Sequence, residues 1–212
     1  MARRKGMNAP WREDALECVR ILRAGGLIVS ATDTVWGIAC RADDPKALSR
    51  MSVLKNRPDD KPFIVLLDEP GMAAQWADDI ADSAWDLLEV PEAEDRSITI
   101  VLPRAKNLPE AVTAAAPESA AGSAAPNATR TVAVRAVRNA YLQFIIKGLG
   151  VPLASTSANR SGDPAPKGFR QIDKSILQGV DFVGRYGRDQ KCPPPSSIVR
   201  IDESGRVEIV RP

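Results

Sequence analysis

The stretch GGLIVSATDTVWGIAC, residues 25–40, carries the reading of the fold. Upstream of it, Ala15, Leu16, Val19, Ile21 and Leu22 recur near helical spacing, so residues 13–24 are expected to form a helix that Gly25-Gly26 stop. The apolar run 27–30 then reads as a short strand, and Thr32-Asp33-Thr34 follow it. Two hydroxyls and a carboxylate in that place have two readings. They can bond to the backbone and turn it out of the strand, or they can face a ligand at the strand end.

The same handover repeats downstream. Asp44 as N-cap with Pro45 at the first helical position predicts a helix ending near Lys55, before Pro58. The run PFIVLL, residues 62–67, reads as a buried strand, after which Asp68 is expected to cap a helical stretch over 72–76. A helix is expected over 82–88, and strands in SITIVLP, residues 97–103, and TVAVRA, residues 131–136. Between those strands the alanine- and proline-rich residues 110–128 read as an irregular loop. YLQFIIKGLG is expected to be a helix ending on glycine, followed by the strand VPLAST. A helix near 172–177, a strand near 181–183 and a terminal antiparallel pair, SSIVRI and VEIV, turning around 203–205, complete the series. Strands interleaved with helices throughout define an α/β protein. Residues 1–11, polar and basic, are expected to be a flexible lead-in, and 12–212 a single domain.

Composition narrows the chemistry. With 26% charged residues and a formal net charge of +2, the chain is no general polyelectrolyte, so cation-dependent work must come from local clusters. Three cysteines are too few and too dispersed for a disulfide framework or a CxxC metal site, and a reducing cytoplasm is the expected location. No window approaches the length of a membrane span. The chain contains no histidine, which removes Ser-His-Asp and Cys-His nucleophiles, imidazole bases and His-bound zinc together. Catalysis must then use other side chains, positioning or the substrate's own nucleophile.

Three groups of residues could carry such chemistry. KNRPDDK holds Lys55, Arg57 and Lys61 within seven residues, either as solvated cations at a helix C-terminus or as partners of a shared anion. ASTSANRSG places Ser155, Thr156, Ser157, Asn159 and Ser161 directly after an apolar strand, where ligands of α/β sheets bind. Arg135 and Arg211 each end a hydrophobic strand and either snorkel to water or offer a guanidinium fork to an anion. Ser196, at a strand start, is a turn former or a hydroxyl facing a cleft. No Walker A or GxGxxG pattern is present, so a nucleotide would be held by scattered cations and hydroxyls.

In order, GGLIVSATDTVWG, LKNRPDDKPFIVLL, TVAVR, PLASTSANRSG, SSIV and the final VRP resemble the YrdC/Sua5 family, the threonylcarbamoyl-AMP synthases of tRNA modification, in its short single-domain form. The resemblance implies a twisted mixed sheet with flanking helices and a basic concave face. It implies a nucleotidyltransferase reaction, in which L-threonine, bicarbonate or CO2 and ATP give threonylcarbamoyl-AMP and pyrophosphate for the t6A base of tRNA. By the same resemblance Lys55 and Arg57 would be catalytic. Arg57, Lys61, Thr131, Ser157, Asn159 and Arg211 would bind ATP, and Thr34, Arg135, Ser155 and Ser196 would bind threonine. Mg2+ would accompany the triphosphate, with no metal site of the protein's own. Expected partners are the downstream t6A transfer proteins and a tRNA or double-stranded RNA contact.

Several positions depart from the family pattern. Ala31 stands where proline is usual, Trp36 where tyrosine or phenylalanine is usual, Ala136-Val137 where Val-Pro is typical, and Leu66 where some members have histidine. No glycine follows the final arginine, and the extra C-terminal domain of the long members is not expected. Two other readings remain: an RNA-binding module without synthase activity, against which stands the 5% aromatic content, and a paralogue with another carbamoyl acceptor.

Overall fold

A computed structural model describes residues 9–57, 61–89, 97–115 and 130–212. Helix α1, Arg12–Arg23, carries Glu13 and Asp14 in its first turn and Arg20 and Arg23 in its last, matching its dipole at both ends. Gly25, at φ 77°, turns the chain into β1, Ile28–Ser30. The chain then folds back as β2, Gly37–Arg41, antiparallel to β1 with Ile28 opposite Ala39 and Ser30 opposite Gly37. The Thr-Asp-Thr motif is therefore the loop of a β-hairpin. The expected lead-in lies mostly outside the described residues, and within its described part Trp11 packs edge-on against Tyr141 and Phe144.

Helix α2, Pro45–Lys55, forms as its cap signals require: the Asp44 carboxylate accepts from the Lys46 and Ala47 amides. Its end is set by Asn56 in the left-handed region, at φ 51°. After β3, Ile64–Leu67, a single 3-10 stretch runs over Pro70–Gln75. Asp68 does not cap it: the preceding residue is Glu69, with no side-chain cap, and the Asp68 carboxylate lies 3.9 Å from the Lys147 ammonium. Then come α3, Asp82–Glu89, and β4, Ile98–Leu102. Within the expected irregular loop, Thr113–Ala115 forms strand β5, antiparallel to β6, Arg130–Ala136, with Thr113 opposite Val132. The rest of that loop, 116–129, lies outside the described residues. Helix α4, Ala140–Leu149, is capped by Asn139 and closed by Gly150 at φ 74°. Strand β7, Leu153–Ser157, short helix α5, Lys174–Gln178, and strands β8, Phe182–Val183, β9, Ser197–Ile201, and β10, Val207–Arg211, follow.

These strands make one mixed sheet in the order β10-β9-β4-β6-β3-β7-β2-β1-β8, with β5 added alongside β6. Parallel pairs (β3 with β6, β4 with β9, β1 with β8) are interspersed with antiparallel ones, as the α/β reading and the mixed-sheet expectation require. Helices flank the sheet. One layer packs α1 and α4 against Ile28, Ala39, Leu66 and Leu153; the other packs α2, α3 and α5 against Val29, Ile38, Val65 and Leu67. Strand period 2 explains how neighbours such as Leu66 and Leu67 serve opposite cores. No helix among the described residues is long and apolar enough to cross a membrane.

Candidate active site

On the face shared with α1 and α4, but beyond their reach, the sheet floors a cavity of about 440 Å³, within the size range of small-molecule sites. Register explains the floor. Ile64 of β3 lies opposite Ala133 of β6 and Ser155 of β7, Leu66 opposite Arg135, Val101 of β4 opposite Ala133, and Gly37 opposite Ser157. Alternation sends these side chains to one side, so an apolar floor of Ile64, Leu66, Val101, Ala133 and Ile198 carries polar groups at its ends. The lining includes Arg57, Lys61, Arg135 and Arg211 and, among the described residues, no carboxylate.

The inner end is built by the hairpin loop and β6. Thr34 is buried, at 4% exposure, and its hydroxyl accepts from Arg135 Nη1 at 3.1 Å; Arg135 itself is 5% exposed. The loop that aims Thr34 is held from both sides. Thr32 Oγ1 donates to the Val35 carbonyl at 2.7 Å and accepts from the Thr34 amide at 3.0 Å. Asp33 accepts from the Asn139 amide at 2.6 Å and the Arg138 amide at 3.3 Å, tying the hairpin to the entry of α4 just beyond Arg135. The Thr-Asp-Thr motif thus divides: Asp33 turns away into structure, while Thr32 and Thr34 line the cavity. Across from them are Ser155, buried to 5% exposure, and Gly37, where an added Cβ would stand 3.0 Å from Ser155 Oγ. Ser196 also lines this end, its hydroxyl 2.8 Å from Thr99 Oγ1.

The rim carries the other cations. Arg57 is braced by Nε donating to Lys61 O at 2.8 Å, Nη2 to Pro62 O at 2.7 Å and Nη1 to Thr156 Oγ1 at 3.3 Å, with its guanidinium over the Phe63 ring. Lys61 lines the cavity and is exposed. Arg211 reaches back from β10 to donate to Ser196 O at 2.6 Å. Ser157 lines the cavity beside them.

Three expected residues stand elsewhere. Lys55 is 1% exposed and absent from the described lining; its ammonium donates to the backbone carbonyls of Ser157, at 2.6 Å, and Asn159. Burial, with Arg57 nearby, pulls its pKa down to about 8. It neither faces water, as a helix-end cation would, nor reaches the cavity. Asn159 donates through Nδ2 to the carbonyls of Arg160 and Asp163. Thr131 is buried, with its hydroxyl on Ala114 O at 3.4 Å, on the same side of β6 as Ala133 and Arg135. Conversely, the floor residues line the cavity without having been singled out as binding residues, and Thr32 and Thr156, raised as ligand-facing candidates but given no substrate role, line it too. The departures sort cleanly: Leu66 is in the floor, whereas Trp36 is buried in the opposite core against Phe169.

Residues 20–212 match the Sua5–YciO–YrdC family profile, which carries the description "telomere recombination". A threonylcarbamoyl-AMP synthase from Xanthomonas campestris pv. campestris is 30% identical over 174 residues, covering 82% of this chain and 86% of that one. Among solved structures, E. coli YciO superposes with a TM-score of 0.74 at 21% identity, covering 96% of this chain and 90% of its own. P. abyssi Sua5 complexed with L-threonine superposes with a TM-score of 0.71 at 22% identity over 91% of this chain, which spans 52% of that protein. The fold, the ordered motifs and a profile that runs from α1 to the last residue agree: the chain belongs to the Sua5–YciO–YrdC family.

Proposed function

We propose that this protein is a threonylcarbamoyl-AMP synthase acting in t6A formation on tRNA. The observation that carries the reading is the division of one cavity into a buried Arg135–Thr34 end and a rim of Arg57, Lys61 and Arg211 over an apolar floor. The inner end suits a small amino acid: Arg135 offers a fork to its carboxylate, and Thr34, Ser155 and Ser196 offer hydroxyls. The rim suits the phosphates of ATP, with Arg57, Lys61 and Arg211 as cations and Ser157 as a hydroxyl donor.

The chemistry needs no enzyme nucleophile. Threonine's amine and CO2, or bicarbonate with loss of water, give a carbamate. A carbamate oxygen bonds to the α-phosphorus of ATP as the bond to the bridging oxygen breaks, and pyrophosphate leaves with its electron pair. The protein's work is orientation, charge stabilisation at the phosphates and exclusion of water from the labile carbamate. Mg2+ would arrive with ATP, held by phosphate oxygens and its own waters; a lining of cations and hydroxyls fits that mode better than a carboxylate cage. Placement in the cytoplasm, hand-over to t6A transfer proteins and tRNA contact belong to the same reading.

The test is pyrophosphate release by purified protein given ATP, Mg2+, bicarbonate and one amino acid at a time. Threonine should drive release at least tenfold faster than valine or serine. Release that ignores the amino acid, or none from folded protein, would overturn the reading, and a different preferred amino acid would identify the paralogue. RNA binding without synthesis would show as affinity that falls steeply with salt and ignores threonine.

A further inference from the structure

We propose that Lys55 is a positioning residue that acts through the backbone at the end of β7, where its buried ammonium holds the Ser157 and Asn159 carbonyls and so fixes the turn that leaves the strand at the cavity-lining Ser157. Three observations carry this. The side chain is buried and its ammonium donates to Ser157 O and Asn159 O, two acceptors that would otherwise be turned into the interior. The backbone of the same residue closes the clamp, since Lys55 O accepts from the Ser161 amide at 2.9 Å, while the Ala158 amide between the two held carbonyls donates to Trp36 O at 2.8 Å. Finally, left-handed Asn56 separates Lys55 from Arg57, sending one cation inward to the loop and the other to the cavity. Two cations spaced by one residue therefore have different work. Arg57 faces the substrate, and Lys55 shapes the surface that the substrate meets.

This inference rests on the ATP reading for its consequence but not for its test, which is done without nucleotide, so either can fail alone. The first measurement is hydrogen–deuterium exchange of the 157–161 segment in nucleotide-free wild type, Lys55→Met and Arg57→Met. Lys55→Met should speed exchange there by tenfold or more, with Arg57→Met within twofold of wild type. Wild-type exchange in Lys55→Met, whatever happens to ATP affinity, would overturn the proposal. A second measurement needs no variant: acylation of amines in the nucleotide-free wild type, read by mass spectrometry. Lys55 should react at least tenfold more slowly than Lys61 before any ATP is added. Equal rates, with protection of Lys55 only on adding ATP, would make it a phosphate contact and overturn the clamp.

Discussion

Replacing Arg135 with methionine separates substrate recognition from folding. The guanidinium is 5% exposed and donates to Thr34 at 3.1 Å, so the change removes a buried charge together with that hydrogen bond and keeps most of the side-chain volume. If Arg135 holds the amino-acid carboxylate, the loss is that of charge-assisted hydrogen bonds, about 1.5–3 kcal/mol. At 1.4 kcal/mol per factor of ten, the threonine KM should rise about 10- to 150-fold. The net change in folding should be no larger, because the lost bond is offset by no longer desolvating a guanidinium. A net change within about 2 kcal/mol would move Tm by no more than about 8 °C in a protein of this size. Steady-state pyrophosphate release, with threonine and ATP varied in turn, reads both constants, and calorimetry reads Tm. A threonine KM within threefold of wild type, or an ATP KM that rises more than the threonine KM, would refute the assignment.

Three other perturbations probe the supports of the site. Asp33→Ala removes the acceptor of the Arg138 and Asn139 amides, so it should cost about 1–2 kcal/mol of stability and raise the threonine KM while sparing ATP, as urea unfolding and kinetics would show. Lys55 has a folded-state pKa lowered from 10.5 to about 8, so between those values the unfolded chain binds the extra proton and stability rises with pH. The unfolding free energy of wild type relative to Lys55→Met should accordingly increase by up to about 3 kcal/mol between pH 8 and 10.5; a decrease would reverse the sign. Burial pushes the Cys18 thiol up to about 12 and Cys40 higher still, whereas Cys192 is half-exposed. Iodoacetamide at pH 8 should label native protein at Cys192 and spare the other two, as intact and peptide masses would report.

How much of this was legible beforehand follows the range of the signal. Asp44-Pro45 and Gly150 mark helix ends by contacts within a few residues, and those ends fall where the sequence puts them. Strand β2 and strand β5 escaped because GIACR and TAA are short, contain no β-branched pair, and become strands by pairing, β2 between β1 and β7 and β5 with β6. The motifs of the site were visible as polar residues at strand ends, yet their division of labour was not. Asp33 finds its partners more than a hundred residues away, and Lys55 differs from Arg57 only through the left-handed turn at Asn56. The apolar floor was hidden in a different way: Ile64, Leu66 and Val101 read as core, and only the cavity beside the α1 and α4 layer makes them a binding surface.

The central claim is that one cavity joins threonine, a one-carbon unit and adenylate. Carbon-labelled bicarbonate supplied with ATP, Mg2+ and threonine tests it most directly. The account predicts label in a threonine- and AMP-containing product, formed in equal amount to the pyrophosphate released and absent when threonine is withheld. Pyrophosphate released without incorporation of the labelled carbon would contradict it.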